Sequence, residues 1–224
     1  LFLILGISWM GSSINYNFGE FYYTILAFGM NMTQLLVVAM SLFLPVSHLS
    51  LEYERGTAQV LWSKLRSRSE YYTGKFGAFL MLMFSLILLS AVFIGGLAYL
   101  NGASVNSLIF LSYFVFGLFC ESACIISLCF FLYALLFSSG LSSLLGLLIL
   151  YCSIFLETAK DISVEAANPF IKGFYASLYF LFPRLGYFNF ENHIIYQKQV
   201  SFTYFFASGL YAFLFSLALM GLAN

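Results

Sequence analysis

Residues 51–75 read LEYERGTAQVLWSKLRSRSEYYTGK, which is the densest cluster of charge in a 224-residue chain that is 62% hydrophobic and only 8% charged. The stretch contains five of the nine Lys and Arg residues and three of the nine Asp and Glu residues. Such a segment lies in water, and short loops rich in Lys and Arg stay on the cytoplasmic side of a membrane. The sequence therefore predicts a cytoplasmic loop at 51–75.

The first half of this loop has the pattern of a short helix. Residues at i, i+3, i+4 and i+8 would form one mostly apolar stripe: Thr57, Val60, Leu61 and Leu65. A surface helix with so narrow a stripe predicts a docking contact. Ser67 and Glu70 form a capping box that would start a second helix. That helix is expected to run through Lys75 directly into the apolar residues from Phe76 onward.

Short motifs follow one another across the loop: Glu-Tyr-Glu-Arg-Gly-Thr (52–57), Ser63-Lys64, Ser67-Arg68 with Glu70, and Gly74-Lys75 just before an apolar run. In order and spacing they resemble the cytoplasmic loop of ABC transporter permeases of the type-2, exporter-like class. In that family the loop forms a coupling helix, which docks in a groove of a separate ATP-binding subunit. The alternative is an ordinary basic inside loop.

The resemblance implies a role in coupling to the ATPase for a set of residues in the loop: Glu54, Arg55, Gly56, Thr57, Val60, Leu61 and Leu65. The chain departs from the family at Leu65, because such permeases commonly have proline after the Ser-Lys pair, and the turn between the helices is expected to be less sharp. The chain has no glycine-rich phosphate loop of the Walker type. We therefore expect a non-catalytic subunit without a cofactor of its own, with ATP and magnesium in the partner.

The composition excludes a soluble globular domain. The mean hydropathy is +0.95, and the charged fraction is far below the roughly 25% that is usual for soluble domains. The net charge is zero, which gives no case for binding nucleic acid. The cysteines all lie in apolar runs, which favours packed side chains over disulfides or a metal site: Cys120, Cys124, Cys129 and Cys152.

The apolar runs predict an all-α integral membrane protein of one domain with six transmembrane helices. The spans are expected at 1–10 (a partial span, because about 20 residues are needed to cross), 22–47, 76–100, 107–137, 141–156 and 201–223. Residues 158–200 would lie outside. Within them, 170–182 is apolar and aromatic, and its length suits a re-entrant or interfacial segment. The Pro183–Asn189 segment also resembles the turn that ends the re-entrant helices of type-2 permeases.

Polar residues inside the spans are candidates for function. Glu121 lies near the middle of the fourth span, where a bare charge is costly and usually faces a bundle interior or a cavity. It is either a carboxyl hydrogen-bonded to a neighbouring helix, with Asn31 or Gln34 as the partner, or a residue that lines the substrate path. On the fifth span, a smooth face of small residues is suited to close contact and is a candidate dimer face: Gly140, Ser142, Ser143 and Gly146.

The sequence as a whole predicts the multi-pass permease subunit of an ABC transporter in the cytoplasmic (inner) membrane of the cell. It would work as a dimer of two permease copies, with two copies of a cytoplasmic ATPase. Two alternatives stay open: a subunit that transmits ATPase motion to an extracytoplasmic partner without transport, and an ion-coupled secondary transporter. Inverted repeats would favour the latter, and the sequence has none. The substrate is not indicated.

Overall fold

The computed structural model describes residues 21–56, 68–103, 105–165, 183–188 and 201–223. Within these ranges the chain is helical and has no strand. The helices are α1 (Phe21–Glu54), α2 (Arg68–Leu100), α3 (Val105–Leu136), α4 (Ser139–Glu165) and α5 (Phe202–Ala223), and a 3-10 helix, η1, spans Leu185–Phe188. The first predicted span at 1–10 and the apolar stretch 170–182 lie outside the described residues, as do Thr57, Val60, Leu61 and Leu65.

Four of these helices are long and apolar enough to cross a membrane: α1, α2, α3 and α5. A bilayer offers no partners for backbone N–H and C=O groups, so an apolar segment that crosses it satisfies them within a helix. The chain is therefore an all-α, multi-pass membrane protein. The fifth predicted span, which lies in α4, is not among these four.

Helix α3 lies at the centre of the described chain. It contacts α1, α2, α4, α5 and η1, and residues 120–130 are all buried. The other spans each keep an apolar face exposed, as at Leu35, Met81 and Phe213. These faces are available to lipid, whereas residues 120–130 of α3 are enclosed by protein.

Helix α1 is longer than the predicted second span. The prediction ended that span at residue 47, near Pro45, whereas the helix continues to Glu54. Proline removes one backbone hydrogen bond, and the packing of Val46 and Leu49, both fully buried, holds the helix together beyond it. Residues 51–54, predicted to belong to the loop, are therefore the last turn of α1.

Helix α4 also extends past its predicted end. The fifth span is predicted to end at 156, and the helix itself continues to Glu165. The sequence from 157 to 165 contains neither glycine nor proline, so nothing in it breaks a helix. The chain turns between α3 and α4 at Phe137, whose backbone is left-handed with φ of 50°.

The small-residue face of α4 is divided by the structure. Ser142 and Gly146 are buried within the chain, whereas Gly140 is exposed and Ser143 is half-buried. A Cβ atom added to Gly146 would lie 3.6 Å from Leu42 Cδ1 and 3.8 Å from Leu132 Cδ1. The close helix contact expected there is thus made with α1 and α3 of the same chain, and the four residues do not form one exposed dimer face.

Replacing Gly146 by Leu should destabilise the fold itself. The larger side chain has to displace the side chains of α1 and α3, and overpacking of this kind costs about 1–3 kcal/mol. The measurement is thermal unfolding of the purified chain in detergent. Gly140→Leu is the matched control, because a Cβ there meets no atom within 4 Å. Equal melting temperatures for the two variants would contradict the packing described for α4.

Candidate functional site

A buried carboxyl and an amide meet between α1 and α3. Gln34 Nε2 on α1 donates a hydrogen bond to Glu121 Oε2 on α3 at 3.2 Å. Glu121 is only 5% exposed because it lies in the enclosed stretch of α3. Both residues are near the middle of their helices, so the pair lies deep in the membrane-spanning part of the protein.

Asn31, the other amide considered as a partner for Glu121, is placed differently. It lies almost one turn before Gln34 on α1 and is exposed. Its Nδ2 atom donates to the backbone oxygen of Ala27 at 3.1 Å, within the same helix. The carboxyl is therefore held by Gln34, and Asn31 contributes a polar group to the surface beside the pair.

The Glu121–Gln34 pair lines an open groove with a volume of about 500 Å³. Residues from α1, α3, α4 and η1 form its walls: Asn31, Gln34, Leu35, Val38, Ala39, Leu42, Phe43, Glu121, Leu147, Leu150, Tyr151 and Leu185. Most of these side chains are apolar, and a few polar groups converge at one place. This combination is typical of small-molecule sites. We call this cavity the groove.

The 3-10 helix η1 completes one wall of the groove. Leu185 and Phe188 are buried, and Leu185 faces the same cavity as Glu121. The segment is anchored on both sides, because Ser153 Oγ of α4 donates to the Pro183 oxygen and the Arg184 N–H donates to Tyr211 Oη of α5 at 3.0 Å. The chain between α4 and α5 thus reaches into the bundle at this point.

A second polar site joins the ends of α1 and α2 on either side of residues 57–67. Glu52 of α1 accepts hydrogen bonds from Tyr71 Oη and Lys75 Nζ of α2. The hydroxyl oxygens of Tyr53 and Tyr72 are 3.1 Å apart and share a hydrogen bond. We call these five residues the clamp. His48 Nδ1 lies 3.4 Å from the Glu52 carboxylate and extends the contact by one turn of α1.

The clamp also packs against α3. The Tyr53 and Tyr133 ring centroids are 5.7 Å apart, and those of Tyr72 and Phe130 are 6.1 Å apart. Such edge and tilted ring contacts contribute beyond the area that they bury. The ends of α1 and α2 are therefore fixed to each other and to the helix that carries Glu121.

The clamp was missed in the sequence, where Glu52 and Lys75 were assigned to the loop. The sequence did contain a signal for this contact, because residues of opposite charge, Glu52 and Lys75, lie near the two ends of the loop.

Of the predicted coupling residues, Glu54 is exposed and accepts a hydrogen bond from Ser50 Oγ at 2.9 Å. Gly56, two residues after the end of α1, has φ of 69°, a left-handed conformation that favours glycine. Arg55 is exposed between them.

Comparisons of the chain with protein-family models, with curated proteins and with solved structures find no match. Among the described residues, no three His, Cys, Asp or Glu side chains are grouped so that they could hold a metal ion. The groove and the clamp are therefore the two features from which a function can be argued.

Replacing Gln34 by Leu should cost stability because the buried Glu121 carboxyl loses its donor. An unsatisfied buried polar group costs about 1–3 kcal/mol, whereas replacing both partners by apolar groups can be nearly neutral. Gln34→Leu with Glu121→Leu should therefore be more stable than Gln34→Leu alone. Thermal unfolding in detergent measures the difference, with Asn31→Leu on the exposed face as the control. A Gln34→Leu variant as stable as the wild type would show that the hydrogen bond is not needed.

Proposed function

We propose that the chain is the membrane-spanning permease subunit of an ABC transporter, which moves a substrate across the cytoplasmic membrane using ATP hydrolysed in a separate subunit. The resemblance of the 51–75 motifs supports this proposal. The observation that carries it is the clamp, because the two helix ends that flank residues 57–67 are joined by hydrogen bonds. Force applied to that segment would reach α1 and α2 together.

In this mechanism, residues 57–65 are the coupling helix, and a cytoplasmic ATPase binds its apolar stripe. Closure of two ATPases on ATP and magnesium would push the segment and tilt the inner ends of α1 and α2. The ring contacts of Tyr53 and Tyr72 would pass part of the movement to α3. Helix α1 carries both clamp residues and Gln34, whereas the groove wall formed by Leu147 and Tyr151 belongs to α4. Tilting α1 would therefore change the width of the groove.

The proposed assembly has two permease copies and two ATPases. Each permease would have six spans, of which the second to the sixth are α1, α2, α3, α4 and α5. The region between α4 and α5 would be re-entrant from the outside, which the depth of η1 supports. The groove favours transport over a subunit that only transmits motion to an outside partner, because transmission requires no cavity at this depth.

Replacing Leu61 by Asp should release the ATPase. The predicted stripe of the coupling helix would then have to bury an unpaired charge, which costs several kcal/mol. The tagged chain is purified from its native membrane in mild detergent, and ATP hydrolysis in the eluate is measured. We expect at least a tenfold loss relative to the wild type. Ser63→Asp, on the polar face of the same predicted helix, is the matched control.

Equal ATPase recovery with Leu61→Asp and with the wild type would remove the coupling interpretation. Residues 51–75 would then be an ordinary basic turn between two helices. An equal loss of ATPase recovery with Leu61→Asp and with Ser63→Asp would also contradict the coupling interpretation. The proposal requires contact through the apolar face of the predicted helix rather than through the loop as a whole.

Breaking the clamp should uncouple the ATPase without releasing it. Tyr71→Phe combined with Lys75→Met removes the hydrogen bonds that Tyr71 and Lys75 of α2 donate to Glu52, which weakens the connection between the two helix ends. We expect the ATPase to be recovered as with the wild type while ATP-driven transport in reconstituted vesicles falls severalfold. Thr73→Val is the control, because the Thr73 hydroxyl is exposed and bonds within α2. Unchanged transport in the double variant would show that the clamp carries no force.

A further inference from the structure

The groove contains an acid that lacks a cationic partner in the part of the chain that the structure describes. Among the side chains that the structure describes, Glu121 is the one Asp or Glu that is buried, and no Lys or Arg is buried. The described ion pairs involve Glu52 and not Glu121. A charge at this depth is costly without compensation. The Gln34 amide supplies one hydrogen bond but no opposite charge.

We propose that the groove binds a lipophilic organic cation, which enters sideways from the bilayer and pairs with the Glu121 carboxylate. The proposal deepens the function proposed above, because it rests on that function for regarding this ligand as the substrate. Binding itself requires only the groove.

The charge of the site selects the sign of the ligand. Opposite charges attract more strongly in a low-dielectric interior than in water. A cation beside Glu121 would therefore gain energy that a neutral molecule or an anion of the same shape would not gain. Phe43 and Tyr151 also line the groove, and aromatic faces add attraction for an organic cation.

The depth of the site excludes the head group of an ordinary bilayer lipid. Glu121 lies 16 residues from the start of α3 and 15 from its end, which is about 22–24 Å from either end at 1.5 Å per residue. Lipid head groups lie at the surfaces of a hydrocarbon core about 30 Å thick, and so about 15 Å from its centre. The cationic centre of the ligand has to enter the hydrocarbon region, which suits a delocalised or shielded charge.

The walls of the groove suit an apolar body of small-molecule size. A volume of about 500 Å³ is within the roughly 300–1,000 Å³ range of ligand sites. Leu35 and Tyr151 at its edges are 67% and 69% exposed, so the groove opens on the lateral surface that faces lipid. A ligand dissolved in the bilayer would reach Glu121 without first crossing water.

The test uses two probe ions that have nearly the same size and shape and opposite charge, tetraphenylphosphonium and tetraphenylborate. The purified full chain is placed in nanodiscs of zwitterionic lipid, and radiolabelled probe is measured by equilibrium dialysis against empty nanodiscs. We expect saturable binding of the cation only. Glu121→Gln should weaken it at least tenfold, and Glu70→Gln, an exposed acid outside the groove, should leave it unchanged.

A second pair of variants tests the walls independently of the charge and of any folding defect in Glu121→Gln. Ala39→Phe places a ring inside the groove and should weaken cation binding at least tenfold. Ala78→Phe makes the same change on the exposed face of α2 and should have no effect. Binding that survives both Ala39→Phe and Glu121→Gln, or equal binding of the two ions, would overturn the proposal.

A second copy of the chain is the other occupant to test. Leu147→Cys, in a background without the four native cysteines, should not form a disulfide between copies. A cross-link there would assign the groove to a subunit interface and overturn the proposal. Loss of cation binding with normal ATPase recovery would leave the permease function standing, whereas normal binding without any ATPase would remove that function and keep the site.

Discussion

The middle of α3, residues 120–130, is buried, and the other described helices are arranged around it. Lipid tails are as apolar as leucine, so membrane helices associate by close packing rather than by escape from water. The middle of α3 is rich in small residues, among them Cys120, Ser122, Ala123 and Cys124, which let several helices approach it. Each of the other described helices contacts it. A carboxyl at position 121 is consequently enclosed by protein and receives its hydrogen bond from Gln34.

The groove and the clamp are connected through the same two helices. Helix α1 contributes Gln34 to the groove and Glu52 and Tyr53 to the clamp, while α3 contributes Glu121 to the groove and packs Phe130 and Tyr133 against the clamp tyrosines. A helix transmits displacement along its axis, and in α1 the packing of Val46 and Leu49 holds the helix together beyond Pro45, which lies between the groove and the clamp. In the proposed permease, this geometry links the ATPase-facing segment to the ligand site without needing a further element.

The small residues of α4 illustrate what a sequence pattern leaves undecided. A smooth helical face indicates close contact with another helix, and Gly146 has that contact with α1 and α3. The pattern cannot distinguish a helix of the same chain from one of a second copy, because the van der Waals energy of the contact is the same in both.

The clamp was not predicted from the sequence for a related reason. Glu52 and Lys75 are 23 residues apart, and only the antiparallel packing of α1 against α2 brings them together.

The membrane class, the helical secondary structure and Glu121 as an acid within an apolar span could all be predicted from the sequence. These follow from composition and local order, since a long apolar run in lipid has no alternative to a helix. The tertiary structure alone decided which faces are buried, where α1 and α4 end, and that Gln34 rather than Asn31 holds the carboxyl. A helix that is apolar around its whole circumference carries no amphipathic signal to orient it. Its neighbours are therefore set by the shapes of side chains distant in sequence, which no local pattern records.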